Sequence, residues 1–172
     1  SDFNNQEKQC YKLMFCQIFM ALQLQKLGGH FLLKVFDLFS TETITLLACC
    51  SIFYDTTHFI KPNTSRPANS EKYILFHGFC GMDSTEQLDV FANFKDCFET
   101  NALTSIRCPS TFRDFFIHVT MYNMYYTTRQ LNHLKKTLEN SKVLQDNRKK
   151  NQIVMENLKI CKEWCKKYHV II

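Results

Sequence analysis

Two charged side chains, Lys34 and Glu71, lie in sequence settings that suit acid–base chemistry. Lys34 interrupts the apolar run 30–36, and Glu71 follows a polar loop that contains two prolines. Burying an ammonium group in an apolar strand costs free energy unless the group is paired or loses its proton. We therefore expect Lys34 either to emerge at the carboxyl end of its strand or to serve as a neutral amine. Both arrangements suit a base.

The segments around these two residues predict helices and strands in alternation. Apolar residues recur at steps of three and four over residues 6–26, which predicts an amphipathic helix closed by a pair of glycines. The run 30–36 is apolar on both faces, the pattern of a strand covered on both sides in an α/β sheet. A helical pattern over 41–51 and a strand over 57–60 follow. This order predicts an α/β fold with part of a doubly wound sheet.

The loop 61–70 is predicted to hold a substrate at the edge of this sheet. Its prolines and small polar residues exclude a helix or an inner strand, and residues 72–79 after it alternate like a strand. Open α/β sheets bind ligands at the carboxyl ends of their strands, which this loop passes. We therefore assign four side chains of the loop to substrate contacts: Lys61, Arg66, Asn69 and Ser70.

From residue 80 the pattern changes to helices. Ser84 and Gln87 form a capping-box signature for a helix that runs to about residue 100. A long aromatic helix over 111–140 and a last helix from about residue 146 follow. We assign the aromatic side chains to the core, with base stacking as the alternative. Two parts are expected: a sheet part, 1–80, and a helical extension, 81–172.

Basic residues are concentrated near the C-terminus. Residues 129–167 contain eleven Lys or Arg against four Asp or Glu, whereas the whole chain has a net charge of +5. Lys159, Lys162 and Lys166 share one side of the last helix, where they are candidates for contacts with RNA phosphates. The alternative interpretation is a solvated helix face.

The same helix carries Cys161, Cys165 and His169 at a spacing that metal ligands use. We assign the two thiols to an apolar stripe, with Val154 and Leu158, that we expect to be buried. The sequence therefore predicts no metal site.

Composition favours a cytoplasmic protein. The cysteines are nine in number and include the adjacent pair Cys49 and Cys50, which indicates reduced thiols rather than a disulfide framework. The most apolar run, 13–24, is shorter than the roughly 20 residues that span a bilayer, so no membrane is expected. Sixteen of the 21 basic residues are lysine and asparagine is frequent, a bias that A+T-rich coding produces. This bias suggests a large, asfarvirus-like DNA virus as the source, with a viral factory or the virion as the location.

Four stretches of the sequence resemble the FtsJ-type ribose 2'-O-methyltransferases, and above all the subgroup of cap-specific mRNA enzymes. They are GGHF at 28–31, KVFDLF at 34–39, FIKP at 59–62 and SRPANSEKY at 65–73. The resemblance covers residues 3–79 well and the remainder poorly. It implies a Rossmann-like domain whose last strand is antiparallel, S-adenosylmethionine as the cofactor and capped mRNA as the substrate.

In this family a Lys-Asp-Lys-Glu tetrad acts on the ribose hydroxyl, and the resemblance implies that Lys34 is its second lysine and Glu71 its glutamate. The first lysine, the aspartate and the Gly-rich cofactor loop find no match, and the family's pattern implies that they lie upstream of Ser1. The chain thus resembles the C-terminal half of an enzyme. We expect most of the cofactor site to lie in the N-terminal half of the same protein or in a partner chain. The chain alone is then expected to be inactive.

In the predicted mechanism Lys34 is the base, kept neutral by desolvation and by a second lysine nearby, and Glu71 holds it in register with the hydroxyl. Nothing in the sequence suggests a metal requirement for this transfer. A second class of function stays open: a non-catalytic RNA-binding or regulatory subunit that keeps the fold of a methyltransferase. A fragment of a longer protein is the third possibility.

Overall fold

The computed structural model describes residues 5–62, 65–141 and 147–170. These residues form five helices and three strands, with ends within about three residues of the predicted ones. The elements are α1 (Gln6–Leu24), β1 (Phe31–Val35), α2 (Thr41–Ser51), β2 (Tyr54–Ile60), β3 (Lys72–Phe79), α3 (Thr85–Glu99), α4 (Phe112–Ser141) and α5 (Asn147–Lys167). None of the described helices is long and apolar enough to cross a membrane.

The three strands form one sheet in the order β1-β3-β2. The central strand, β3, is antiparallel to both neighbours, as the family resemblance implied. The β1–β3 register places Lys34 opposite Tyr73 and Val35 opposite Lys72. Three strands are too few to define a doubly wound sheet. The Rossmann-like assignment therefore stays a prediction.

The prediction that β1 is covered on both faces was wrong for this chain. Leu33 and Val35 are buried in the core, whereas Leu32 is 58% exposed and Lys34 is also exposed. The helices of the described part of the chain bury only one face of the sheet. An apolar run in the sequence indicates that burial of its side chains is favourable. It does not indicate whether another segment of the chain covers them.

The helix before β1 ends earlier than the two glycines that were predicted to cap it. Its last residue is Leu24, and Gln25 is the C-cap. Gly28 instead lies in the following turn with a φ of 73°, a left-handed conformation that glycine adopts without strain. Its N–H donates to the Phe79 carbonyl over 2.8 Å, which ties this turn to the end of β3.

One hydrophobic core joins the sheet to α1, α2, α3 and the first part of α4. Phe94 of α3 lies between Phe15 and Phe19 of α1, with ring centres 5.4 Å and 6.4 Å apart. Ser84 and Gln87 form the predicted capping box at the start of α3. Leu88 and Phe98 on the same helix stay about half exposed, at 53% and 50%, so only part of the apolar surface of α3 faces the core.

The chain divides into two compact units, residues 1–129 and 130–172. The first contains the sheet, and the second contains the end of α4 and α5. The predicted boundary at residue 80 stays a prediction, because this division reflects how the chain packs and does not show where the family segment ends.

Within the second unit α5 has no buried residue, so the burial predicted for its apolar stripe, including Val154 and Leu158, was wrong. All nine cysteines are free.

Candidate active site

Lys34 and Glu71, far apart in the sequence, form an ion pair in the structure. The antiparallel pairing of β1 with β3 brings them together, because Glu71 immediately precedes β3 and Lys34, the second-to-last residue of β1, lies opposite Tyr73. Lys34 Nζ is 3.1 Å from Glu71 Oε2. Pairing of two strands by main-chain hydrogen bonds thus sets the distance between the two predicted catalytic groups.

Tyr73 completes the surroundings of the Glu71 carboxylate. Its hydroxyl donates to Glu71 Oε1 over 2.9 Å, so each carboxylate oxygen has its own partner. The hydrogen bond from Lys34, followed by that from Tyr73, lowers the pKa of Glu71. The same hydrogen bond to Glu71 raises the pKa of Tyr73. Glu71 is therefore held as a carboxylate.

Sequence reasoning did not assign Tyr73 to the site. Tyr73 is two residues beyond Glu71, and side chains two residues apart on a strand lie on the same face. This alternation was the signal that could have placed the hydroxyl beside the carboxylate.

The ion pair lies on the open face of the sheet. The side chain of Lys34 is 48% exposed and that of Glu71 is 26% exposed. Of the two arrangements considered for Lys34, the structure shows the one in which the lysine emerges near the carboxyl end of its strand. No described element covers this face, so Lys34 is not desolvated in the described part of the chain, and its desolvation in the complete enzyme stays a prediction.

Lys61 holds the loop that leads to Glu71. Its Nζ donates to the carbonyl and the side-chain oxygen of Asn69 over 2.9 Å and 2.8 Å, and to the Glu71 carbonyl over 2.7 Å. An ammonium group has three donors, and these three acceptors match them. Burial, followed by the charge of Lys72, lowers the pKa of Lys61. The geometry gives Lys61 and Asn69 a role in shaping the loop.

The other predicted binding residues are placed differently. Arg66 is exposed on the loop and Ser70 is half-buried, one residue before Glu71. Lys159, Lys162 and Lys166 are exposed on α5 in the second compact unit. Among the residues that the structure describes, no three His, Cys, Asp or Glu side chains are grouped as metal ligands.

Comparison with known proteins gives a family match and several relatives. The FtsJ-like methyltransferase family model matches residues 2–79. The chain is 42% identical over 96 residues to cap-specific mRNA (nucleoside-2'-O-)-methyltransferase 1 of Mus musculus, which covers 54% of this chain and 11% of that protein. The protein of the same name from Danio rerio is 33% identical over 143 residues, 77% of this chain and 17% of that protein.

A third relative with this name, from Trypanosoma cruzi, is 42% identical over 78 residues, 45% of this chain and 22% of that protein. The chain therefore spans about a tenth to a fifth of the length of these relatives. The family match ends at the last residue of β3 and therefore includes both members of the ion pair.

Proposed function

Residues 2–79 are an FtsJ-like methyltransferase segment, homologous to cap-specific mRNA 2'-O-methyltransferases, and from this premise we propose a function for the chain. It is part of an enzyme that transfers a methyl group from S-adenosylmethionine to the 2'-hydroxyl of cap-proximal nucleotides in mRNA. The observation that carries the proposal is the Lys34–Glu71 ion pair, 3.1 Å long, on an open sheet face. The homology does not favour the alternative, a non-catalytic RNA-binding subunit.

In this mechanism Lys34 and Glu71 act on the substrate hydroxyl. An alcohol is a poor nucleophile, so its oxygen must be aligned with the methyl donor and must lose its proton as the new bond forms. In the complete enzyme, where further segments would cover the open face and take Lys34 out of water, its Nζ accepts that proton as the free amine. Glu71 Oε2 holds the amine in place, and the Tyr73 hydroxyl holds the opposite carboxylate oxygen.

The residues of this chain fit the hydroxyl side of the reaction better than the cofactor side. The sequence has four glycines, Gly28, Gly29, Gly78 and Gly81, and no glycine-rich loop. When bound, S-adenosylmethionine would supply the methyl group that its sulfonium sulfur carries. We propose that most of its site, with the other lysine and the aspartate of the tetrad, comes from another segment of the same protein or from a partner chain.

The loop after β2 is proposed to contact the RNA through Arg66 and Ser70. Lys61 Nζ donates to Asn69 Oδ1 and to the Glu71 carbonyl, so the contribution of Lys61 and Asn69 to binding is to keep the loop in shape. Within this proposal the loop and the ion pair act as one unit, because the Lys61 hydrogen bond to residue 71 joins them.

An assay on capped RNA tests the proposed reaction. A protein that contains residues 1–172 together with the remaining tetrad segments is expected to transfer labelled methyl from S-adenosylmethionine to capped RNA, and nuclease digestion should place the label on a ribose 2'-oxygen. The same RNA already methylated at that position is the control substrate. Residues 1–172 alone are expected to give no transfer. Label found on a base or on the cap guanine would contradict the proposal.

The lysines of α5 are proposed to contribute contacts with RNA phosphates. Reversal of Lys159, Lys162 and Lys166 to Glu should weaken RNA binding about equally for different sequences, since phosphates carry no sequence information. The slope of log affinity against log salt should fall by roughly 2, because each single-strand phosphate contact contributes about 0.7. Fluorescence anisotropy at several salt concentrations measures both quantities.

A matched control for this triple variant reverses the charge of three exposed lysines in the first unit. Lys8, Lys12 and Lys26 are exposed lysines at α1 and its end. Their reversal to Glu should alter RNA binding much less. If both triple variants weaken binding equally, the effect reports net charge and the row on α5 is only a solvated face.

A further inference from the structure

Lys72 is the one charged residue that is buried in the described part of the chain. Its side chain is 5% exposed, and its Nζ is 3.5 Å from Asp37 Oδ1. The ammonium also lies 5.9 Å from the centre of the Tyr122 ring of α4. Burying an ammonium group is costly even when it is paired, and the mechanism proposed above makes no use of this residue. Its position requires an explanation.

Two ion pairs join the same two strands from opposite faces of the sheet. Lys34 pairs with Glu71 on the open face, and Asp37 pairs with Lys72 on the buried face. In both pairs one partner belongs to the end of β1 or the residues just after it, and the other to the start of β3. Because Glu71 and Lys72 are adjacent, a main-chain shift at Lys72 also displaces Glu71.

The segment after β1 is held by two helices of the core, α1 and α4. Asn123 of α4 donates to the Leu38 carbonyl over 2.7 Å. The Glu7 carboxylate of α1 accepts from the Phe39 N–H over 3.1 Å and the Ser40 N–H over 3.0 Å. Asp37 thus lies in a segment that α1 and α4 anchor. Lys72 connects that anchored segment to β3.

We propose that Lys72 is a positioning residue: by pairing with Asp37 beneath the sheet, it holds Glu71 at the correct distance from Lys34 above it. Lys72 does not touch the substrate, so it acts only through Glu71. The catalytic part of this inference rests on the proposed methyl transfer, but the geometric part does not. The latter can be measured on the chain itself.

The first test follows the titration of Glu71 by carboxyl NMR in residues 1–172. In the parent chain the hydrogen bonds from Lys34 and Tyr73, with the charges of Lys34 and Lys61, lower the pKa of Glu71. Lys72→Met removes the buried charge with little change in volume. If the ion pair beneath the sheet sets the geometry above it, this variant should raise the pKa of Glu71 towards its ordinary value.

Two further variants keep the test decisive. Lys95→Met removes an exposed lysine, 65% accessible, from its pair with Glu99 on α3, and should leave the Glu71 titration unchanged. If Lys72→Met does not fold, as judged by circular dichroism, Asp37→Asn weakens the same pair from its more exposed side and should shift Glu71 in the same direction. An unshifted Glu71 in either folded variant overturns the proposal.

The second test uses the complete methyltransferase. Lys72→Met should lower kcat by about tenfold or more and leave the KM values for RNA and S-adenosylmethionine nearly unchanged, since misplacement affects the transition state more than binding. Lys72→Arg keeps the charge and should restore much of the rate. Equal rates for parent and Lys72→Met would overturn the positioning role. If Lys72→Met shifts the pKa of Glu71 but the complete protein methylates no ribose, the proposed function is contradicted. The geometric inference is then still supported.

Discussion

Replacing Lys34 by alanine is expected to lower the rate of ribose methylation by about 10²- to 10⁴-fold, the usual contribution of a positioned acid–base group. The base acts in the transition state, so the affinity for S-adenosylmethionine should stay within about twofold of the parent. Lys34 Nζ is 3.1 Å from Glu71 Oε2, the group that is proposed to hold it for the reaction. Single-turnover methylation of capped RNA, with cofactor binding measured by calorimetry, separates the two quantities.

Two variants show whether the reaction needs a side chain that can accept a proton at position 34 or only a positive charge there. Lys34→Arg keeps a cation, but a guanidinium does not lose its proton in proteins, so this variant should be nearly as slow as alanine. Lys26→Ala removes another exposed lysine from the first unit and should leave the rate unchanged. Near-normal turnover of Lys34→Ala would remove Lys34 from the reaction.

Replacing Phe94 by alanine is expected to lower the free energy of unfolding by about 3–5 kcal/mol, the usual cost of truncating a buried phenylalanine. Phe94 is fully buried, with its ring centre 5.4 Å from that of Phe15 and 6.4 Å from that of Phe19. This contact joins α3 to α1. Urea denaturation followed by circular dichroism measures the loss.

Phe98 provides a matched control on the same helix. It lies one turn beyond Phe94 and its ring centre is 5.2 Å from that of Phe19, but it is 50% exposed. Phe98→Ala should therefore cost about 1 kcal/mol or less, since it leaves no closed cavity. If both variants lose the same small amount of stability, α3 does not share the core of α1.

Local sequence patterns were sufficient to place the helices and strands. The steps of three and four in α1, the capping box of Ser84 and Gln87, and the prolines around the loop 61–70 depend on residues that are close in the chain. The same holds for the motif that contains Glu71. Such signals are short-range, so they can be recognised without knowing how the chain packs.

The tertiary structure decided which of these residues meet and which face water. A run of apolar residues cannot report that the open face of β1 leaves Lys34 accessible, because coverage depends on which distant segment packs there. The hydrogen bond from Lys61 to Asn69 lies within the loop that joins β2 to β3, and the pairing of Lys72 with Asp37 depends on how β1 pairs with β3. Residue types and spacing therefore determined that Lys34 and Glu71 are candidates for chemistry. Only the register of β1 on β3 determined that the two groups touch, and with which neighbours, because hydrogen bonds between strands join residues that the sequence separates.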